Sequence, residues 1–131
     1  MIKVGRLISQ PADIGTFTES AREFRLDTID FLRRAFPSID QAYLRQIRMK
    51  CLENGLPIGY LGVSGGFVGS DDEIRDRVET AKETVDMAVF MGAQLVRVFG
   101  GSYPLDTEDL EPLWPKMVAS HREIADYALE K

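Results

Sequence analysis

The chain alternates short apolar runs with longer amphipathic segments, and this alternation occurs four times. The apolar runs at 2–8, 28–33, 56–63 and 94–99 have the length and residue types of β-strands. After each run, apolar residues recur every three to four positions, which predicts helices over 17–25, 39–54, 70–91 and from Pro115 onward. Strands that alternate with helices indicate an α/β protein with a parallel sheet.

Local residues mark where these helices begin and end. A hydroxyl side chain followed three residues later by Glu or Gln predicts a helix start, because the two can cap each other's backbone N–H groups. Glycine predicts a helix end, because it adopts the left-handed conformation easily. The starts are Thr16/Glu19, Ser38/Gln41 and Ser70/Glu73, and the ends are Gly55 and Gly92.

Two parallel-sheet architectures are compatible with four βα units. One is half of a (β/α)₈ TIM barrel, since a full barrel takes about 250 residues. The other is an open, flavodoxin-like parallel sheet, which commonly has about five strands. Either way we expect residues 1–131 to form a single domain, which is a partial domain in the barrel case. The pattern alone leaves both architectures open.

Composition and charge favour a soluble globular domain over a nucleic-acid-binding or membrane protein. The chain is 44% hydrophobic and 28% charged, as expected for a soluble globular domain. Its net charge of −5 gives no basic surface for nucleic acid or a membrane. No run approaches the ~18 apolar residues of a membrane helix, and Cys51, the one cysteine, has no partner for an internal disulfide. We therefore expect a cytoplasmic protein without a nucleic-acid or membrane partner.

The fourth predicted strand carries a charge inside an apolar run. Strand alternation places Leu95, Arg97 and Phe99 on one face and the two flanking valines on the other. In a barrel the valines would pack on the helices, so Arg97 would line the lumen. By the same alternation Asp30 lines the lumen from the second strand, and alternate strands build one layer. We expect Asp30 and Arg97 to meet, either as a structural ion pair or as an arginine held for an anionic or polyhydroxyl substrate.

Small residues begin the loops after the third and fourth strands. Ligands of α/β proteins bind beyond the carboxyl ends of the strands, and glycine lets the backbone approach them. We therefore predict substrate contacts at Ser64, Gly65, Gly66, Gly100 and Gly101, with simple turn geometry as the alternative. Neither loop has the GxxxxGK[ST] or GxGxxG pattern of nucleotide-binding loops.

Residues for catalysis or metal binding are not evident. His121, the one histidine, lies on the apolar stripe of the last predicted helix, so we predict that it packs rather than reacts. No cluster of His, Cys, Asp and Glu has the spacing of metal ligands. The acidic run 106–111 is interpreted as a solvated approach to the last helix. Metal ligands are therefore not predicted in this chain, and the catalytic residues stay unassigned.

The chain contains the segments "LRQIRMKCLENGLPIGYLGVSGGF", "DDEIRDRVETAKETVDMAVFMGAQLVRVFGGSYP" and "HREIADYALEK". Together they resemble the sugar phosphate isomerase/epimerase family, the xylose-isomerase-like TIM barrels. The most specific part is a helix "ETAKETVDMAVFMGA" that leads into a strand "QLVRVFGG". The resemblance covers nearly the whole chain and implies strands one to four of the barrel.

The resemblance also implies an activity. Members of the family use a divalent metal, Mn²⁺, Mg²⁺ or Co²⁺, to hold sugar oxygens while two carboxylates move a proton between adjacent carbons. In the epimerase-type members the metal ligands come from strands five to eight, which this sequence lacks. The chain is thus expected to be the N-terminal part of a sugar or sugar-phosphate isomerase/epimerase, inactive alone. Asp30 stands where the family often has a Glu, so it carries over, with Arg97 and the loop glycines, only as a substrate contact.

A half barrel leaves the outer edges of its first and fourth strands unpaired. Such edges invite pairing with another chain. The chain is therefore expected either to be a fragment of a longer protein or to form a homodimer through these edges. A different class of function, a non-catalytic α/β module that binds a small anion or a protein, is the alternative.

Overall fold

The structure, a computed structural model, describes residues 2–102 and 111–131. The four predicted strand–helix pairs are confirmed, and each strand is shorter than predicted at one or both ends. Most of the acidic run, residues 106–110, lies outside the described residues. The elements are β1 (Gly5–Ile8), α1 (Phe17–Phe24), β2 (Thr28–Leu32), α2 (Gln41–Glu53), β3 (Ile58–Gly62), α3 (Asp71–Met91), β4 (Leu95–Arg97) and α4 (Leu113–Leu129), with 3₁₀ turns at Pro11–Gly15 and Arg33–Ala35.

All four strands are parallel, and they lie in the order β1-β2-β3-β4. Each crossover therefore moves the chain one strand further in the same direction, as it does around a barrel. A flavodoxin-like sheet instead places β1 between β2 and β3. The predicted half barrel is confirmed, and the flavodoxin-like alternative is wrong.

The hydrophobic core lies between the helices and one face of the sheet. Phe31 is fully buried there, with its ring centroid 5.4 Å from that of Phe17 and 5.3 Å from that of Phe36. The opposite face, here called the lumen face, is open: Leu95 is 66% exposed and Phe99 39%. In the part of the chain that the structure describes, helices thus cover one face of the sheet and leave the other open, as in the wall of a barrel.

One of the three predicted capping boxes forms. The Ser70 hydroxyl accepts a hydrogen bond from the backbone N–H of Glu73, and the Glu73 carboxylate accepts one from the backbone N–H of Ser70. The other two predictions are wrong. Thr16 makes no side-chain cap bond to α1, and the Ser38 hydroxyl bonds to Asp40, which precedes α2, rather than to the helix. A sequence pattern places two partners near each other, but the backbone angles decide whether they meet.

Glycines end α2 and α3 as predicted. Gly55 has φ of +63° and Gly92 has φ of +77°, the left-handed conformation that stops a helix. The chain after Gly92 then enters β4 directly, with the Ala93 N–H bonded to the carbonyl of Ala88.

The last helix, α4, packs on α3 and borders a groove. Ile124 is buried at their contact, and polar bridges join Lys82 to Glu123 and Tyr127 to Asp86. Between α4 and the outer edge of β4 lies a largely apolar groove of about 450 Å³. None of the helices in the described part of the chain is long and apolar enough to cross a membrane.

Candidate functional site

A β-bulge shapes the lumen face where β2 meets β3. On β2 a single residue, Asp30, separates the two residues that pair with β3, whereas β3 has two residues, Gly59 and Tyr60, in the same interval. An extra residue in one strand disrupts the ladder and re-aims the side chains beside it. The bulge thereby brings Asp30 and Tyr60 together on one face.

The Asp30 carboxylate fills the space that the bulge leaves. Its Oδ1 atom accepts a hydrogen bond of 3.0 Å from the backbone N–H of Tyr60. A Cβ atom added to Gly59 would overlap that same oxygen, so the glycine makes the position of Asp30 possible. Burial raises the pKa of Asp30 above its ordinary value, outweighing the lowering by the backbone N–H groups of Tyr60 and Gly59 and by the charge of Arg97.

Arg97 is held from two sides on the lumen face. Its Nη1 atom donates a hydrogen bond of 3.1 Å to the Tyr60 hydroxyl, and its guanidinium carbon lies 4.3 Å from the centre of the Phe99 ring. Gly62 pairs with Arg97 across the sheet, and a Cβ atom there would lie 3.3 Å from the Tyr60 ring. Tyr60 is not among the residues predicted from the sequence, although the glycines of Gly59-Tyr60-Leu61-Gly62 mark a place where the backbone or a side chain approaches closely.

The predicted contact between Asp30 and Arg97 is wrong. Arg97 acts on Asp30 only as a nearby charge, and each side chain has Tyr60 as its hydrogen-bond partner. The physical reason is the sheet itself: β3 lies between β2 and β4, which places those strands about 10 Å apart. Tyr60 occupies the intervening position, so a Tyr60-centred triad replaces the predicted pair.

The loop glycines are required by the approach of one loop to the other. The Phe67 N–H donates a hydrogen bond of 2.8 Å to the carbonyl of Gly100, and a Cβ atom on Gly66 would overlap the backbone of Gly101. Gly65 and Gly101 also have φ of +85° and +135°, which other residues rarely adopt. Turn geometry and packing thus account for these glycines, and their contact with substrate stays a prediction.

Two buried polar atoms lie at neighbouring strand ends without hydrogen-bond partners in the described part of the chain. They are the Ser64 hydroxyl, after β3, and Nε of Arg33, after β2. Val63 is buried in the core on the helix side, so alternation places Ser64 on the lumen face. Ser64 was predicted as a site residue. Arg33 is not a predicted site residue, because the sequence pattern assigns it to the second strand.

His121 packs as the sequence predicts, and the described residues offer no metal site. Its ring centroid lies 5.0 Å from that of Phe67, edge to face, and its Nδ1 is 2.8 Å from the carbonyl oxygen of Met117. Within 2–102 and 111–131, no group of three or more His, Cys, Asp and Glu side chains could hold a metal ion. The divalent metal implied by the resemblance therefore does not fit the residues that are described.

Comparison with known proteins identifies the family. Residues 19–131 match the family model described as xylose isomerase-like TIM barrel. No curated protein matches the chain. The family model covers well over half of the sequence, and it begins within α1 and runs to Lys131.

Several solved structures share the fold. A xylose isomerase domain protein from Planctomyces limnophilus has a TM-score of 0.79 at 18% identity, over 98% of this chain and 49% of its own. D-psicose 3-epimerase from Clostridium cellulolyticum H10, solved with D-tagatose, has a TM-score of 0.80 at 16% identity, over 98% and 49%. D-allulose 3-epimerase from Methylomonas sp., in complex with D-allulose, has a TM-score of 0.71 at 18% identity, over 99% and 48%.

At such low sequence identity, the similarity to these structures shows a shared fold and no shared activity. The chain spans about half the length of each of these structures. Its four parallel strands in sequential order, covered by helices on one face, correspond to half of such a barrel. With residues 19–131 matched by the family model, the chain belongs to the xylose isomerase-like TIM barrel family.

Proposed function

We propose that this chain is part of a sugar or sugar-phosphate isomerase/epimerase and supplies one wall of its substrate site. The observation that carries the proposal is the row of Asp30, Tyr60 and Arg97 on the lumen face, which runs from the middle of β2 and β3 to Arg97 at the carboxyl end of β4. Substrates of this barrel class bind at that end. Family membership and the sugar epimerases among the similar structures give further support.

The proposed reaction is proton transfer next to a carbonyl, through an enediolate. It needs an acid/base pair at the reacting carbons, and a bound Mn²⁺, Mg²⁺ or Co²⁺ would polarise the substrate oxygens. Asp30 is hydrogen-bonded to the bulge backbone, and the described residues form no metal cluster. As the family resemblance implies, we assign the metal ligands and the acid/base pair to strands five to eight of the barrel, and binding and orientation of substrate to the lumen face.

We place the complementary half against the outer edges of β1 and β4. The apolar groove beside β4 is lined by Leu95 and Val96 on the strand side and by Ile124 and Ala128 on α4. A further parallel strand fits there, since it would pair with β4 and cover these side chains. For the 131-residue chain by itself we propose a homodimer, in which β4 of one copy pairs with β1 of the other.

The test is an activity assay in ²H₂O with two proteins, the 131-residue chain and a version extended to the next in-frame stop codon. We expect the extended protein to exchange a carbon-bound proton of a ketose or ketose phosphate in the presence of Mn²⁺. This exchange should stop when EDTA is added. The short chain should be inactive. An extended protein that never exchanges a proton with any of the three metals would contradict the proposed reaction.

Sedimentation of the 131-residue chain tests whether two copies pair through the outer edges of β1 and β4. We expect a dimer, weakened by Leu95→Lys in the groove. A stable monomer with cooperative unfolding would contradict the open edges and favour a non-catalytic binding module instead.

A further inference from the structure

The lumen face of β3 and β4 holds hydrogen-bond donors that the described part of the chain does not use. We propose that Arg97 and Ser64 form a subsite for an anionic group of the substrate, a phosphate or a carboxylate, with Tyr60 as a positioning residue. This inference rests on the proposed function and deepens it, because it narrows the substrate class from sugars in general to sugars that carry a negative group.

The orientation of Arg97 is fixed before any ligand arrives. Its guanidinium group lies on the Phe99 ring and is held at one nitrogen by the Tyr60 hydroxyl. An arginine has five N–H donors, and the Tyr60 hydroxyl is the acceptor found for it within 2–102 and 111–131. A planar guanidinium fork, with donors that the described residues leave unused, matches the oxygens of a carboxylate or phosphate.

The nearby carboxylate does not neutralise this arginine by contact. Asp30 directs Oδ1 to the backbone N–H of Tyr60 and forms no ion pair with Arg97. Asp30 also lies level with Tyr60, whereas Arg97 pairs with Gly62, two residues closer to the carboxyl rim. At about 3.3 Å per residue, the backbone of Asp30 is thus about 7 Å farther from the carboxyl rim than the backbone of Arg97.

Ser64 supplies a second donor at the rim. The Val63 N–H donates a hydrogen bond of 2.9 Å to the carbonyl of Arg97, so the ladder between the strands continues up to Ser64. The Ser64 hydroxyl is buried and unpartnered among the described residues. A buried hydroxyl without a partner calls for an explanation, and an anionic oxygen bound between Ser64 and Arg97 provides one.

The chemistry of the two donors favours an anion over a neutral sugar. A sugar hydroxyl can accept from a guanidinium group, but an anionic group adds attraction between opposite charges and can accept two parallel N–H bonds from the guanidinium fork. Gly62, which pairs with Arg97, has no side chain, and the Leu32 side chain and the Tyr60 ring pack against it beside Arg97. An anionic group is thus the occupant that uses both the charge and the geometry of Arg97.

The experiment is a titration of the ¹⁵N-labelled 131-residue protein, followed by NMR at fixed ionic strength. The probes are D-fructose 6-phosphate, D-gluconate, inorganic phosphate and D-fructose. We expect at least one of the two anionic sugars to bind at least about tenfold more tightly than D-fructose, with signal changes at Ser64 and Arg97. The D-gluconate arm distinguishes a carboxylate subsite from a phosphate subsite.

Variants assign the effect to the subsite. Arg97→Met should weaken binding of the preferred anion at least about tenfold, and Ser64→Ala and Tyr60→Phe about twofold to fivefold. Arg97→Lys, which keeps the charge but loses the fork, should still weaken it and serves if Arg97→Met does not fold. Arg75→Gln is the matched control, since Arg75 is exposed on α3 and should leave binding unchanged.

Equal affinity for D-fructose and both anionic sugars, or full affinity in both Arg97 variants, would overturn the subsite. The proposed function is judged separately, by proton exchange in the extended protein. Exchange on neutral ketoses alone would retain the isomerase and remove the anion subsite, whereas anion binding without exchange would retain the subsite and remove the isomerase.

Discussion

The Oδ1 atom of Asp30 accepts a hydrogen bond of 3.0 Å from the backbone N–H of Tyr60, across the one bulge that interrupts the register of β2 and β3. Side chain therefore replaces backbone as the acceptor at this point of the ladder. The bond fixes Tyr60 on the lumen face, and Tyr60 in turn holds Arg97. An acid that looks like a substrate contact in the sequence is thus also a structural part of the sheet.

Replacing Asp30 should separate its roles as an acceptor and as a charge. Asp30→Ala should lower the free energy of unfolding by about 1–3 kcal/mol, because the part-buried Tyr60 N–H would lose its acceptor. Asp30→Asn retains an oxygen at the same position and should lose much less. Urea unfolding at pH 7 measures both, and equal losses in the two variants would show that the hydrogen bond to Tyr60 does not stabilise the sheet.

The same residue predicts a pH dependence of stability. Because burial raises the pKa of Asp30, the folded protein binds its proton more tightly than the unfolded chain does. The contribution of Asp30 to stability is therefore fully present below its ordinary pKa and falls as the pH rises through the raised one. As the pH rises over that interval, the native protein should lose unfolding free energy relative to the Asp30→Asn protein, which has no proton to release at this position. A difference that is constant or moves toward Asp would contradict the prediction.

Gly66 should not tolerate a side chain. A methyl group there would overlap the backbone of Gly101, so Gly66→Ala should cost about 2–3 kcal/mol of stability. Gly15→Ala is the matched control, since a Cβ atom on Gly15 would have no heavy atom within 4 Å. Thermal unfolding compares the two. A Gly66→Ala protein as stable as the Gly15→Ala protein would mean that the two loops separate readily.

Cys51 should be unreactive while the protein is folded. It is 2% exposed on the core side of α2, and burial raises the pKa of its thiol to about 12. At pH 8 the thiolate fraction would then be about 10⁻⁴, and the thiolate is the reactive form. Labelling with a disulfide reagent should be at least about a hundredfold slower than in the urea-unfolded chain. Rapid labelling of the folded protein would show that α2 opens frequently.

The capping box of α3 should contribute measurably to stability. Ser70→Ala removes the acceptor of the Glu73 N–H and should cost about 1 kcal/mol. Thr16→Ala is the control, because Thr16 makes no side-chain cap bond although its sequence pattern is the same type. Chemical unfolding of both variants checks the difference. A Ser70→Ala loss no larger than that of Thr16→Ala would show that the capping box does not stabilise α3.

Much of the fold follows from local sequence. The period of apolar residues specifies four strands and four helices, and the order of these elements restricts the sheet to parallel architectures. Alternation correctly places Arg97 and Phe99 on the face of the sheet away from the helices. The valines beside Arg97 lie on the opposite face and pack against the helices. These features are set by neighbours within a few residues, so the sequence carries them directly.

Contacts between strands could not be predicted from the local sequence. The bulge exists because β3 has one residue more than β2 between two paired positions, and neither strand shows this by itself. Tyr60, rather than Asp30, therefore became the partner of Arg97. The roles of Gly59 and Gly66 were hidden for the same reason, since each makes room for an atom far away in the sequence.

The sequence by itself thus determined the class of fold, the ends of α3, the inward direction of Arg97 and the resemblance to the family. Only the tertiary structure decided that the strands follow one another in order around half a barrel, and that Tyr60 links Asp30 to Arg97. The physical reason is range: helical and strand periodicity arise from local backbone geometry, whereas register and side-chain partners depend on which segments the folded sheet brings together.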